Sequence, residues 1–322
     1  MGGTREFVLA PDEIVDEPVI ATIGVFDGVH LGHRQLFARV VGSAVESGAT
    51  SLAIGFDPHP VEVLAPHVPP HRISAPAVHR RRLAEAKLDH VWYLPFSVQI
   101  AALEPLAFVE MIHARFPFRE LWIGYDFRFG RDRAGDSTTL VESGRTLGFS
   151  VSVFGPVTSG ERPYSSTWVR ESLRAGDVEA AASVLGAPFE IEGEIVRGLG
   201  LGARELVATA NVQPHPRQLL PALGIYAGWA RGGGLPDPVP AAISVGLRPT
   251  ISQDLAVAVE AHLIDWSGDL YGQRLRICFG SRLREEKRFE GLDELRVAIR
   301  DDIAAARGLW ETRHRELAFR CN

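Results

Sequence analysis

The chain has 322 residues, long for one hydrophobic core and suited to two domains. Hydrophobic residues make up 46%, charged residues 23%, and the formal net charge is -6, which argues against a disordered chain and against a global attraction to nucleic acid or anionic membrane. No uninterrupted apolar run is long enough to span a bilayer, the start carries no signal-peptide core, and Cys278 and Cys321 make neither a disulfide framework nor a CxxC metal site, so a reducing cytoplasm is expected.

From the start to about residue 186, strand-like runs at 19–23, 51–56, 90–94, 120–123 and 150–154 alternate with helical stretches, including 35–46 and 77–87. That alternation predicts a doubly wound parallel sheet, with ligands beyond the carboxyl ends of its strands. After the first strand comes Gly24-Val25-Phe26-Asp27-Gly28-Val29-His30-Leu31-Gly32-His33, a glycine-rich bend running into a helix. Glycines let backbone approach a ligand, and a helix start offers unpaired N–H groups to phosphate. His30 and His33 can face one ligand and donate to phosphate oxygens without a full charge. The bend is neither GxxxxGK[ST] nor GxGxxG.

Three more segments stand out. Gly55-Phe56-Asp57-Pro58-His59-Pro60 closes the second strand, its prolines restricting Asp57 and His59 to extended geometry. Gly124-Tyr125-Asp126-Phe127-Arg128-Phe129-Gly130, with Gly135-Asp136 beyond it, follows the fourth strand. Its aromatics either stack on a planar ring or plug the sheet edge, and Arg128 either meets a ligand or pairs with a carboxylate. Tyr164-Ser165-Ser166-Thr167-Trp168-Val169-Arg170 reads as a helix N-cap followed by a helix, where hydroxyl, N–H and guanidinium converge.

After Pro188 the pattern changes to short alternating runs at 189–196, 223–230, 241–245, 256–264 and 274–279, the signature of a small antiparallel barrel. An amphipathic helix at 292–309 follows. Domains are expected at 1–186 and 187–322.

The four N-terminal segments resemble, in order, the GxFDGxHxGH, FDPHP, GxDFRFG and SSTxIR motifs of the prokaryotic bifunctional riboflavin kinase/FAD synthetase family, whose N-terminal module is an HxGH nucleotidyltransferase. The resemblance covers most of residues 15–186. It implies an FMN adenylyltransferase in which FMN attacks the α-phosphate of ATP. Catalytic residues would be His30, His33 and Arg170. ATP would be met by Gly24, Phe26, Asp27, Gly28, Asp126, Ser166 and Thr167, with Ser166, Thr167 and Arg170 on the leaving pyrophosphate. Phe56, Asp57, His59, Asp126 and Phe127 would lie on the flavin side. Pro163 departs from the basic residue common two places before the first Ser of the last motif.

The C-terminal half resembles the family's kinase module through Gly224-Ile225-Tyr226, Val245-Gly246-Leu247-Arg248-Pro249-Thr250, Val259-Glu260-Ala261-His262-Leu263, Gly268-Asp269-Leu270-Tyr271-Gly272 and Arg284-Glu285-Glu286-Lys287-Arg288-Phe289. By resemblance Glu260 is the base for the ribityl hydroxyl, and Thr209 and Asn211 bind magnesium and ATP. The family's GRxxGFPTAN loop is altered here. Leu206-Val207-Ala208 stand where GFP is usual, and Ala203 replaces the Arg. Kinase activity is therefore expected to be weak, absent or redirected. Implied substrates are ATP, FMN and riboflavin, with Mg2+; no nucleic-acid or membrane partner is expected, and a homo-oligomer stays open. Two alternatives remain beside this reading: a divergent nucleotidyltransferase with another phosphorylated or flavin-like acceptor, and a non-catalytic flavin-binding regulatory paralogue.

Overall fold

A computed structural model describes residues 7–10, 15, 17–69, 71–197, 208–249 and 255–315. The altered loop positions Ala203, Leu206 and Val207 lie outside these residues, as does Cys321. The chain forms two compact units, Met1–Pro69 with His79–Ser165 and Pro70–Val78 with Ser166–Asn322.

The first unit is built on β1 (Val19–Ile23), β2 (Thr50–Asp57), β3 (His90–Pro95), β4 (Phe118–Gly124) and β5 (Ser150–Phe154). These form one parallel sheet in the order β3-β2-β1-β4-β5. Crossovers are made by α1 (Leu31–Ser47), α2 (Pro60–Leu64), α3 (Pro76–Ala84), α4 (Val98–Ala101), α5 (Pro105–Arg115) and α6 (Ser137–Leu147). β1 is buried throughout because both of its faces are covered. Val19, Ala21 and Ile23 pack with Phe108, Val109 and Ile112 of α5 and Leu140 of α6. Ile20 packs on the other face with Leu36, Phe37 and Val40 of α1 and Leu83 of α3. The order reverses between β1 and β4, so a ligand crevice is expected at the carboxyl ends of those two strands. The His30 bend follows one of them and the Asp126 turn follows the other. A two-stranded ribbon, β6 (Thr158–Ser159) and β7 (Arg162–Pro163), completes the unit.

The second unit opens with α7 (Ser166–Ala175) and α8 (Val178–Leu185). A closed barrel follows from β8 (Phe189–Val196), β9 (Ala210–Gln213), β10 (Gly224–Gly232), β11 (Val239–Pro249), β12 (Leu255–Leu263) and β13 (Arg274–Arg284), in the order β10-β11-β12-β9-β8-β13. Phe189, Ile191, Tyr226, Ile243, Val259 and Phe279 are among its buried residues. Helix α9 (Leu292–Leu309) lays Ile303 and Ala306 on Ala227, Ile264 and Leu283. It is fastened by Arg284, whose guanidinium holds both carboxylate oxygens of Asp302 at 2.9 and 2.7 Å. Among the described residues no helix is long and apolar enough to cross a membrane.

Candidate functional site

The first site element is the bend between β1 and α1. The Gly24 N–H donates to the Ile54 carbonyl at 3.1 Å, keeping the bend beside β2. A Cβ on Gly24 would lie 2.7 Å from the Phe26 ring, so only glycine lets that ring fold back. It packs edge-on against Phe37 and His33, with centroids at 4.9 and 5.4 Å. Phe26 (φ 50), Gly28 (φ 84) and Val29 (φ 48) are all left-handed. For Phe and β-branched Val this costs on the order of 1–3 kcal/mol each. The conformation is held by hydrogen bonds to its carbonyls. Phe26 O accepts from the Val29 N–H at 3.0 Å and lies 3.2 Å from His79 Nε2; Gly28 O accepts from Arg82 at 3.0 Å; Val29 O accepts from Arg34 at 3.3 Å.

This bend delivers the two histidines. His30 is the N-cap of α1, and its Nδ1 accepts the His33 N–H at 3.4 Å. That contact occupies the Nδ1 lone pair, so Nε2 carries the proton of the neutral ring. The two rings stack with centroids 3.6 Å apart and planes at 24°. Burial, then His30, then His79 hold the His33 imidazole well below its ordinary range. His33 Nδ1 is buried with no hydrogen-bond partner among the described residues. A buried polar atom left unbonded costs about 1–3 kcal/mol, which marks this position as one shaped for something other than stability.

Burial also lowers the pKa of His113, partly opposed by a hydrogen bond with the Leu147 backbone. Both depressed histidines set a pH dependence. Below about 6.5 the unfolded chain protonates them while the native chain does not. Their contribution to stability is therefore constant above that pH, falls as pH drops through it, and stops falling only below the native values. The denaturant midpoint is expected to be lower at acid pH than at neutral pH, and His33→Gln should make the difference smaller. An unchanged drop in that variant would remove His33 from the linkage.

The second element joins the first. Asp27 and His59 are buried, with Oδ2 and Nε2 3.9 Å apart. His59 Nδ1 accepts from the Val61 N–H at 3.2 Å and caps α2, and its backbone is extended. The His59 ring is thus committed to the start of α2 and to the neighbourhood of Asp27. Asp57 lies 4.0 Å from Arg80. Phe56 meets Phe96 edge-on at 5.6 Å and packs on the sheet core.

At the end of β4, Asp126 and Tyr125 are exposed. Phe127 stacks on Phe129 at 5.5 Å with planes at 17°, and both pack on the core that Phe108 shares. The aromatic pair plugs the sheet. Arg128 binds Asp136 at 2.8 Å, so of its two sequence-level roles the structure displays the carboxylate partner. Asp136 also caps α6 through the Thr139 N–H; that bond and Arg128 hold its carboxyl below the usual range.

Ser166, Thr167 and Arg170 belong to the second unit. The helix begins at Ser166, so Thr167 is its second residue rather than its cap. Arg170 is buried and donates Nε to the His71 carbonyl at 3.0 Å. His71 and Arg72 in turn donate their N–H groups to the Arg217 carbonyl, which fixes the acceptor that orients the guanidinium.

In the barrel, β12 pairs with β9 so that Glu260 lies opposite Asn211. Thr209 donates its hydroxyl to Glu260 Oε2 at 3.1 Å. His262, two residues along the same face of β12, places Nδ1 2.8 Å from the Ala208 carbonyl. The base expected from sequence and both expected metal-side residues therefore converge. Among the described residues no group of three or more His, Cys, Asp or Glu side chains could hold a metal ion.

Sequence reasoning passed over His79, Arg82, Tyr93 and the anchoring role of His262. The available signal was the run His79-Arg80-Arg81-Arg82, which puts an imidazole and a guanidinium on one side of a helix.

A parallel sheet with a histidine-bearing helix start at its switch point, followed by a closed barrel with a carboxylate–hydroxyl pair, defines a two-part phosphate-handling transferase. The family model for FAD synthetase matches residues 12–168, and that for riboflavin kinase matches residues 185–310. The bifunctional riboflavin kinase/FMN adenylyltransferase of Pseudomonas fluorescens is 38% identical over 294 residues, covering 90% of this chain and 92% of its own. That of Escherichia coli (strain K12) is 36% identical over 293 residues with the same coverage. A crystal structure described as a macrolide-efflux protein from Streptococcus pneumoniae superposes with a TM-score of 0.83 and 25% identity, over 94% of this chain and 99% of that one. The chain belongs to the bifunctional riboflavin kinase/FMN adenylyltransferase family.

Proposed function

We propose that the protein is a FAD synthetase that transfers AMP from ATP to FMN with release of pyrophosphate, and that its barrel phosphorylates riboflavin to FMN. The observation that carries the reading is the stacked His30–His33 pair at the N-terminus of α1, set at the switch point of the parallel sheet. Relatives named for both activities match the chain over nine-tenths of its length.

In this reading an FMN phosphate oxygen attacks the α-phosphorus in line, and the P–O bond to pyrophosphate breaks. The protein contributes position and charge rather than covalent chemistry. His30 and His33 donate to the α- and β-phosphate oxygens as charge develops, while the α1 start adds N–H groups. Arg170, Ser166 and Thr167 hold the departing pyrophosphate. Gly24, Phe26, Asp27, Gly28 and Asp126 line the nucleotide side. Phe56, Asp57, His59 and Phe127 line the flavin side, Phe127 and His59 by shaping it from within the core and the α2 cap. The transferase module would run over residues 1–186 and the kinase module over 187–322.

In the barrel, Glu260 takes the proton of the ribityl hydroxyl as that oxygen bonds to the γ-phosphorus of ATP and the P–O bond to ADP breaks. The oxygen atoms of Thr209 and Asn211 and the adjacent carboxylate suit Mg2+, which keeps substrate phosphates among its ligands instead of a full protein cage. When bound, that ion neutralises phosphate charge. Partners are small molecules in this reading, with no nucleic acid or membrane; the cytoplasm is the proposed location.

Two incubations test the proposal: FMN with ATP and magnesium, and riboflavin with ATP and magnesium, each resolved by chromatography. The first is expected to give FAD and pyrophosphate. The second is expected to give FMN, and FAD made from it, at a lower summed rate, because Ala203 and Leu206-Val207-Ala208 stand in the family's nucleotide loop. No FAD from the first incubation would overturn the main reading. Kinase turnover matching the adenylyl step would overturn the ranking of the two.

A further inference from the structure

We propose that His79, set by Tyr93, is a positioning residue for adenylyl transfer: it grips the Phe26 carbonyl and so fixes the bend that aims His30 and His33. The inference rests on the reading of that bend as the triphosphate site.

His79 projects from α3 and is 8% exposed. Its Nε2 lies 3.2 Å from Phe26 O, and its Nδ1 lies 3.2 Å from the Tyr93 hydroxyl oxygen. A carbonyl can only accept, so Nε2 carries the proton. In the neutral ring Nδ1 must then accept, and Tyr93 donates. The phenol thus selects the one tautomer that can hold the bend, as an outer partner orients a metal-bound imidazole.

Tyr93 is itself placed by the sheet. A Cβ on Gly55 would come within 3.1 Å of its ring, so the glycine of the second motif gives the phenol room to lie against β2. Arg80 sits over the same ring at 5.8 Å and reaches towards Asp57 at 4.0 Å. The brace therefore ties the end of β2 to the bend after β1. Arg82, 3% exposed and on the same side of α3, grips a second carbonyl of the bend, Gly28 O, at 3.0 Å.

The bend needs this support because Phe26 and Val29 are held left-handed, and Val29 directly precedes His30. If the Phe26 carbonyl is released, these residues can relax towards ordinary backbone angles, and the imidazoles swing with them. Misplacement by about 1 Å costs on the order of 10²-fold in rate while leaving ground-state contacts largely in place. The loss should therefore fall on kcat more than on KM.

Three variants test this in the full-length protein, with FAD formation from FMN and ATP as the readout. His79→Leu fills the space without a donor and is expected to lower kcat about tenfold or more, with KM for ATP little changed. His79→Gln carries an amide N–H to the same carbonyl and is expected to recover most of that loss. Tyr93→Phe keeps the ring but frees the tautomer and should fall between. Melting temperature and riboflavin phosphorylation are measured alongside. Wild-type kcat in His79→Leu overturns the brace, as does a loss that His79→Gln fails to recover and that tracks the melting temperature. If His79→Leu does not fold, Tyr93→Phe decides: unchanged kcat overturns the proposal. A wild-type protein that makes no FAD would instead sink the functional reading itself.

Discussion

Replacing His30 with alanine is expected to slow FAD formation from FMN and ATP by roughly 10²–10³-fold, the loss typical of one preorganised donor to a developing oxyanion. The same change removes the α1 cap, because His30 Nδ1 accepts the His33 N–H. Loss of a cap costs about 0.5–2 kcal/mol, and the 3.4 Å length of this bond puts the cost at the low end. His30→Asn separates the two effects. Asparagine is among the best N-caps, yet it offers no Nε2 to a phosphate. The alanine variant should therefore lose activity and some melting temperature, whereas the asparagine variant should lose activity alone. Riboflavin phosphorylation should be untouched in both, since the barrel has its own core. Rapid FAD formation by His30→Asn would take the imidazole out of the chemistry.

The elements read correctly from sequence were those whose pattern is local. The strand at 19–23 and the helix at 292–309 appear with the same bounds, because one is a continuous apolar run and the other an amphipathic repeat. Strand alternation alone puts the His30 bend beyond the carboxyl end of a strand, whereas the switch point needs the strand order β3-β2-β1-β4-β5. Helices α5 and α6 stand outside the sequence reading, although Asp136 with Thr139 makes a capping box and Gly148 ends α6 left-handed. Strand β9 has little sequence signature because Ala210–Gln213 offers a single buried apolar residue, Val212. Arg128 and Phe127 could not be resolved from sequence, since a nearby carboxylate and a ring are satisfied by protein and ligand alike; the structure supplies Asp136 and Phe129. Of the His79 contacts, the run His79-Arg80-Arg81-Arg82 signals only a polar helix side, not what the imidazole meets. The brace joins a carbonyl 53 positions away in sequence to a phenol 14 positions away, and only the packing of α3 and β3 brings the three together.

In the barrel, Glu260→Gln is expected to cut FMN formation from riboflavin by about 10²–10⁴-fold, the range for loss of a placed general base. The substitution is nearly isosteric. Its amide oxygen can still accept from the Thr209 hydroxyl, now 3.1 Å from the carboxylate, so Thr209 keeps its place. His262 continues to face the Ala208 carbonyl at 2.8 Å, fixing the residue just before Thr209. What disappears is the capacity to take a proton. Val259 and Ala261 are buried while Glu260 lies on the opposite face of β12, so the barrel core is undisturbed and the melting temperature should hold. Supplied with FMN, the variant should make FAD at the wild-type rate; supplied with riboflavin, it should make neither product at an appreciable rate. FMN rescue therefore locates the block at the kinase step. If Glu260→Gln phosphorylates riboflavin as fast as the parent, the hydroxyl needs no carboxylate, and the pairing with Thr209 is then structural rather than catalytic.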